Sequence, residues 1–175
     1  MQPTLYSLYV RGLENTADAG LKEQITSCIE TSKKDQSVNL TIKNYKVGGL
    51  SQAIHERGKY LAVSGPMGRS LGVDLSGINV AFAAGTGVLP FIDLVGYIAR
   101  QTLGITNEDR TKPGDGFHFW FNVRLNSREA IADDLCSALA TANSAQFRYD
   151  VVKKNPEDPP SSSRWTAQTI EEKLN

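Results

Sequence analysis

The sequence predicts an α/β chain built on a doubly wound parallel sheet. Ile78–Ala84 (INVAFAA) is a continuous apolar run, the pattern of a strand buried on both faces of a parallel sheet. Residues 88–101 then place Leu89, Ile92, Val95, Ile98 and Ala99 at helical spacing. Two more strand–helix pairs follow, with strands over 117–123 and 147–152 and helices over 128–142 and 166–174. Strand–helix units in series join by right-handed crossovers. The three strands are therefore expected side by side, parallel, in the spatial order third-second-first. Residues 104–116 and 157–163 read as polar loops.

The first part of the chain has a different pattern. Residues 5–10 (LYSLYV) are aromatic and apolar enough to read as a strand. Residues 11–36 form a polar connection with one helix over 19–33. Residues 37–45 alternate, with Val38, Leu40 and Ile42 on one face of a half-buried strand. Gly48-Gly49 is a turn, and Ser51 is a natural cap for a short helix reaching about Arg57. A strand over 60–64 ends at Gly65-Pro66-Met67-Gly68. The chain thus divides near residue 70, into 1–70 and an α/β domain over 71–175.

Composition narrows the function. Hydrophobic residues make up 40% of the chain, enough to build a core. The 19 basic and 19 acidic residues cancel, so no basic excess invites nucleic acid or an anionic membrane. Cys28 and Cys136 stand far apart, and His55 and His118 are isolated. No metal-binding spacing appears, and free thiols suit the cytoplasm or another reducing intracellular compartment. Residues 80–99 are long enough to cross a bilayer. Gly85-Thr86-Gly87, Pro90 and Asp93 interrupt them, so a strand, a turn and a helix are expected there instead of a span.

The strongest local motif is Ala83-Ala84-Gly85-Thr86-Gly87-Val88-Leu89-Pro90-Phe91. Glycines between a buried strand and a helix let the chain turn sharply and let a bulky anion approach the backbone. Exposed N–H groups at the helix start would then favour a pyrophosphate. Gly48-Gly49-Leu50-Ser51 is a second possible anion cradle, equally readable as an ordinary capped helix.

In order along the chain, LYS at 5–7, IKNYKVGGLSQAI at 42–54, VSGPMG at 63–68 and AAGTGVLPF at 83–91 resemble the ferredoxin-reductase superfamily, which includes cytochrome-b5 reductases. The late FRYD and TAQTIEEKL segments look like parts of plant-type ferredoxin reductases. The resemblance implies that residues 1–70 belong to an antiparallel flavin-binding β-barrel and 71–175 to an NAD(P)H-binding domain. It implies that Tyr6 packs on the isoalloxazine of FAD and that Ser7, a catalytic residue, hydrogen-bonds near flavin N5. Gly48, Gly49, Leu50 and Ser51 would hold the flavin pyrophosphate. Gly85, Thr86 and Gly87 would hold the NAD(P)H pyrophosphate, with Pro90 starting the helix. Ser127 and Arg128 would meet the adenosine end and favour NADPH through its 2′-phosphate; the plainer role for Ser127 is a helix cap. The implied reaction passes hydride from NAD(P)H to FAD, and electrons then go to an acceptor protein or haem domain.

Three departures from the family pattern sharpen the alternatives. Thr4 stands where the family carries an arginine, the chain starts at the flavin motif, and it stops before the strand that carries Cys-Gly-Pro. They suggest a piece of a longer polypeptide, a chain completed by a partner, or a noncatalytic subunit that scaffolds a larger assembly.

Overall fold

A computed structural model describes residues 5–34, 49–57, 71–105, 112–126, 130–155, 157 and 165–174. The chain divides into two compact units. One comprises Met1–Gln36 with Asp74–Asn175, and the other Ser37–Val73. The larger unit contains helices α1 (Leu5–Glu14) and α2 (Ala19–Lys34), then strand β1 (Ile78–Ala84). A 3-10 segment, Gly85–Phe91, leads into α4 (Ile92–Thr102). Strand β2 (His118–Asn126), α5 (Asp133–Ala142), β3 (Phe147–Lys154) and α6 (Ala167–Leu174) complete it. In the smaller unit the described helix is α3 (Leu50–Arg57).

The three strands form one parallel sheet in the order β1-β2-β3, the arrangement expected from the strand–helix alternation. Ile78 pairs with His118, and Phe119 with Phe147. Because side chains alternate along a strand, this register sorts them onto two faces. One face carries Ala81, Ala83, Phe119, Phe121, Val123, Leu125 and Phe147, all buried. Phe91 descends from the 3-10 segment onto Phe119 and Phe121, with ring centroids 6.2 and 5.2 Å apart. Helix α5 packs on β3 and on α4, α1 packs on both helices, and α2 packs on α1. The other face carries Ile78, Val80, Phe82, His118, Trp120, Asn122, Arg124, Arg148, Asp150 and Val152, and α6 reaches it through Lys173, which pairs with Asp150.

Several expectations need correction. Residues 5–10 are not a strand but the start of α1. Leu8, Tyr9, Gly12 and Leu13 are buried at positions that recur on one side of a helix. Gly12 allows this close packing, since a Cβ there would lie 3.1 Å from Ile25 Cδ1 and 3.3 Å from Leu103 Cδ1. Residues 5–34, assigned by resemblance to a flavin-binding barrel, are helical and belong to the same compact unit as the sheet. Among the described residues the strands are β1–β3, and no antiparallel pair occurs. Strand β1 is buried on one face only: Ile78 is 59% and Val80 37% exposed. The helix expected over 88–101 begins at Ile92, because Gly85-Thr86-Gly87 has weak helical preference and Pro90 offers no N–H. Helix α3 begins at Leu50, so Gly49 and not Ser51 precedes its first turn. The strands expected over 37–45 and 60–64, the corner at 65–68, and Gly48, Ser127 and Arg128 lie outside the described residues.

Candidate functional site

In an open parallel sheet, ligands bind beyond the carboxyl ends of the strands. At that end of β1 the chain enters Gly85–Phe91 directly from Ala84. Gly85 has φ +52°, a left-handed conformation that glycine adopts without steric cost. Gly87 is exposed, and a Cβ added to it would meet nothing within 4 Å. The need for glycine's backbone freedom therefore falls on Gly85, while Gly87 keeps a stretch of backbone bare. No side chain caps the start of this segment. Thr86 is half-buried, Val88 is buried against the core, and Pro90 is exposed. The segment carries no charged residue, and Asp93 opens the α-helix that follows.

The structure brings Gly85, Thr86, Gly87 and Pro90 together and separates them from the other expected site residues. Tyr6 and Ser7 lie on α1, where the Tyr6 hydroxyl donates to the Asp134 carboxylate at the start of α5. Neither stands on a barrel strand, so the structural premise for placing them beside a flavin is gone. Gly49, Leu50 and Ser51 belong to the smaller unit. There Gly49 has φ +110° and its carbonyl accepts from the Ala53 N–H, closing the first turn of α3. Leu50 is exposed and Ser51 is half-buried.

Sequence reasoning missed a cleft of about 510 Å3 between α6 and the sheet. Arg124 from β2, Arg148 from β3, Trp165, and Glu172 and Lys173 from α6 line it. The Trp165 indole N–H donates to the Ala83 carbonyl at 2.9 Å, and its ring meets Phe82 edge-on at 4.9 Å. The Arg124 guanidinium lies 4.4 Å over the same indole, within cation–π range. Asp150 serves two cations, with Arg148 Nε at 3.1 Å and Lys173 Nζ at 3.7 Å. The available signal was the period-two pattern of β2, in which His118, Trp120, Asn122 and Arg124 alternate with Phe119, Phe121, Val123 and Leu125.

A second polar cluster lies where α5 starts. The Tyr149 hydroxyl donates to Asp133 at 3.0 Å, and Lys153 pairs with the same carboxylate. Burial, then the nearby Cys136 and Asp133, raises the Tyr149 hydroxyl well above its ordinary range. Burial first, and the Asp133 and Asp134 carboxylates second, push the Cys136 thiol up to about 12. A thiol so placed is a packed apolar group and a poor nucleophile. Among the described residues no group of three or more histidine, cysteine or acidic side chains could hold a metal ion. Among them, too, no helix is long and apolar enough to cross a membrane. Searches among protein-family models, curated proteins and solved structures find nothing that matches this chain.

Proposed function

We propose that this chain is a pyridine-nucleotide-binding module, with the Gly85–Phe91 segment as the seat of the NAD(P)H pyrophosphate. The observation that carries this reading is the bare backbone at the carboxyl end of β1, where Gly85 turns left-handed and Gly87 faces open space. A pyrophosphate needs close approach to backbone N–H groups, and side chains would block it. In the full reaction the nicotinamide would give hydride to FAD, whose electrons pass to an acceptor. The sequence motifs support that extension, and the same resemblance gives Gly49, Leu50 and Ser51 to the flavin.

The two glycines make the reading testable because their structural roles differ. Gly87→Leu has room and keeps the fold, but it should abolish NADPH binding in a fluorescence titration of the purified chain. Gly85→Ala should instead lower unfolding stability by about 1 kcal/mol, since a Cβ is strained at that φ. Undiminished NADPH affinity in Gly87→Leu would remove the pyrophosphate from this segment.

A second reading is a noncatalytic subunit that keeps the fold as a scaffold. Helix α1 favours it, because Tyr6 and Ser7 are built into helical packing. On this reading the purified chain emerges colourless from gel filtration after incubation with FAD. Retention of one flavin per chain would sink it.

A further inference from the structure

We propose that the cleft between α6 and the sheet holds a phosphate monoester, the 2′-phosphate of NADPH. This deepens the nucleotide reading and rests on it for the ligand's identity. Two arginines and a lysine converge on the cleft from three elements: Arg124 on β2, Arg148 on β3 and Lys173 on α6. The carboxylates set against them are Glu172, in the lining, and Asp150, which Arg148 and Lys173 share. Three cations face two carboxylates, leaving one positive charge in excess. A phosphate monoester carries about −1.5 to −2 charges at neutral pH and accepts several strong hydrogen bonds. Arginine forks suit it in two-point contacts, and lysine adds a mobile point charge.

The cleft is also held in shape. Arg124 rests on the Trp165 ring, and the indole N–H is fixed to Ala83. That bond ties the cleft to β1 two residues before Gly85, so its wall and the glycine segment share one strand end. Their chemistry is complementary. The Gly85–Phe91 segment offers backbone and no charge, whereas the cleft offers charge to a dianion. A volume of about 510 Å3 is ample for part of a nucleotide.

The test uses the full chain, labelled with nitrogen-15, at fixed ionic strength. The Trp165 indole N–H resonance, assigned by its loss in Trp165→Phe, is followed during titration with inorganic phosphate, 2′,5′-ADP, 5′-AMP and NADH. The expected result is a saturable shift with 2′,5′-ADP that 5′-AMP does not reproduce. Inorganic phosphate should give a weaker shift of the same sense. Arg148→Gln with Lys173→Gln, both partly exposed side chains, should weaken 2′,5′-ADP by roughly tenfold or more while leaving thermal unfolding nearly unchanged. No shift with 2′,5′-ADP, or equal affinity in the double variant, overturns the proposal. A shift with inorganic phosphate alone also overturns it, marking a free-anion site. NADH binding that survives the double variant but fails in Gly87→Leu would keep the glycine seat and remove only the cleft. 2′,5′-ADP binding that fails only in the double variant would keep the cleft and remove the glycine seat.

Discussion

The two faces of the sheet are made by the same three strands, yet they meet different surroundings. On one, Phe119, Phe121, Val123, Leu125 and Phe147 are sealed beneath α4, α5 and the 3-10 segment. On the other, Ile78, Val80 and Val152 remain exposed beside His118, Trp120 and Arg124, and α6 reaches only the part near Asp150 and Arg124. The first face accounts for the core of the larger unit. The second presents charge, indole and apolar surface together. The difference separates residues that hold the fold from residues free to meet something else, and it can be broken in graded steps.

The largest effect is expected at Phe121, which is fully buried and touches the rings of Phe91, Phe119 and Tyr149. Phe121→Ala should cost about 3–5 kcal/mol, from lost burial and the cavity left behind. Urea unfolding followed by circular dichroism measures it. A loss below about 1 kcal/mol would mean that the covered face is not the core.

Much of that face was legible in the sequence. The strands, their parallel pairing and their order follow from alternating strand and helix signals, which depend on local periodicity. Helix α1 was not legible by the same route. Its aromatic and apolar LYSLYV segment favours a strand, but strand preference mostly reports fit to a half-buried surface. Here Leu8, Tyr9 and Leu13 find that burial as a helix against α4 and α5, and Gly12 lets a neighbour come close. The i, i+4, i+5 spacing of Leu8, Gly12 and Leu13 was the overlooked signal. Strand β1 shows a different limit, because an apolar run states what could be buried and not what covers it. The candidate sites divide similarly. Gly85 could be read because a left-handed turn demands its residue type. The cleft could not, because Arg124, Arg148, Trp165 and Lys173 come from separate segments that only the sheet register and α6 bring together.

A second, smaller effect sharpens the contrast through pH. Cys136 sits on the covered side, its thiol pushed from an ordinary value near 9 up to about 12, chiefly by burial. Above pH 9 the unfolded chain loses this proton while the folded chain keeps it. The unfolded state then binds fewer protons, so stability falls as pH rises, and the loss continues through the folded value. Below pH 9 the contribution is fully present. Between pH 9 and 10 the slope should approach about 1.4 kcal/mol per pH unit from this group. The raised Tyr149 hydroxyl steepens it further above pH 10. Cys136→Ala should flatten the slope between pH 9 and 10 in urea melts, whatever it does to stability at pH 7. An unchanged slope would show that the thiol is not shielded, and that the layer over β3 is looser than the packing of α5 implies.

The smallest effect is expected on the open face, where a null result carries the information. Ile78 and Val80 keep 59% and 37% of their surface in contact with solvent. Replacing both with threonine preserves β-branching, and so the strand preference, while adding hydroxyls that water can satisfy. At wet positions such a change should stay within about 0.5 kcal/mol in urea unfolding. Inside a packed layer the same two hydroxyls would lose their hydrogen bonds to water, at about 1–3 kcal/mol each. The two outcomes are several-fold apart and do not depend on what the chain binds. A loss above about 2 kcal/mol for Ile78→Thr with Val80→Thr would mean that β1 is covered on both sides in solution, and the contrast between the faces would fail at its most exposed residues. A near-neutral result leaves INVAFAA as a strand whose apolar character exceeds what the fold of this chain uses.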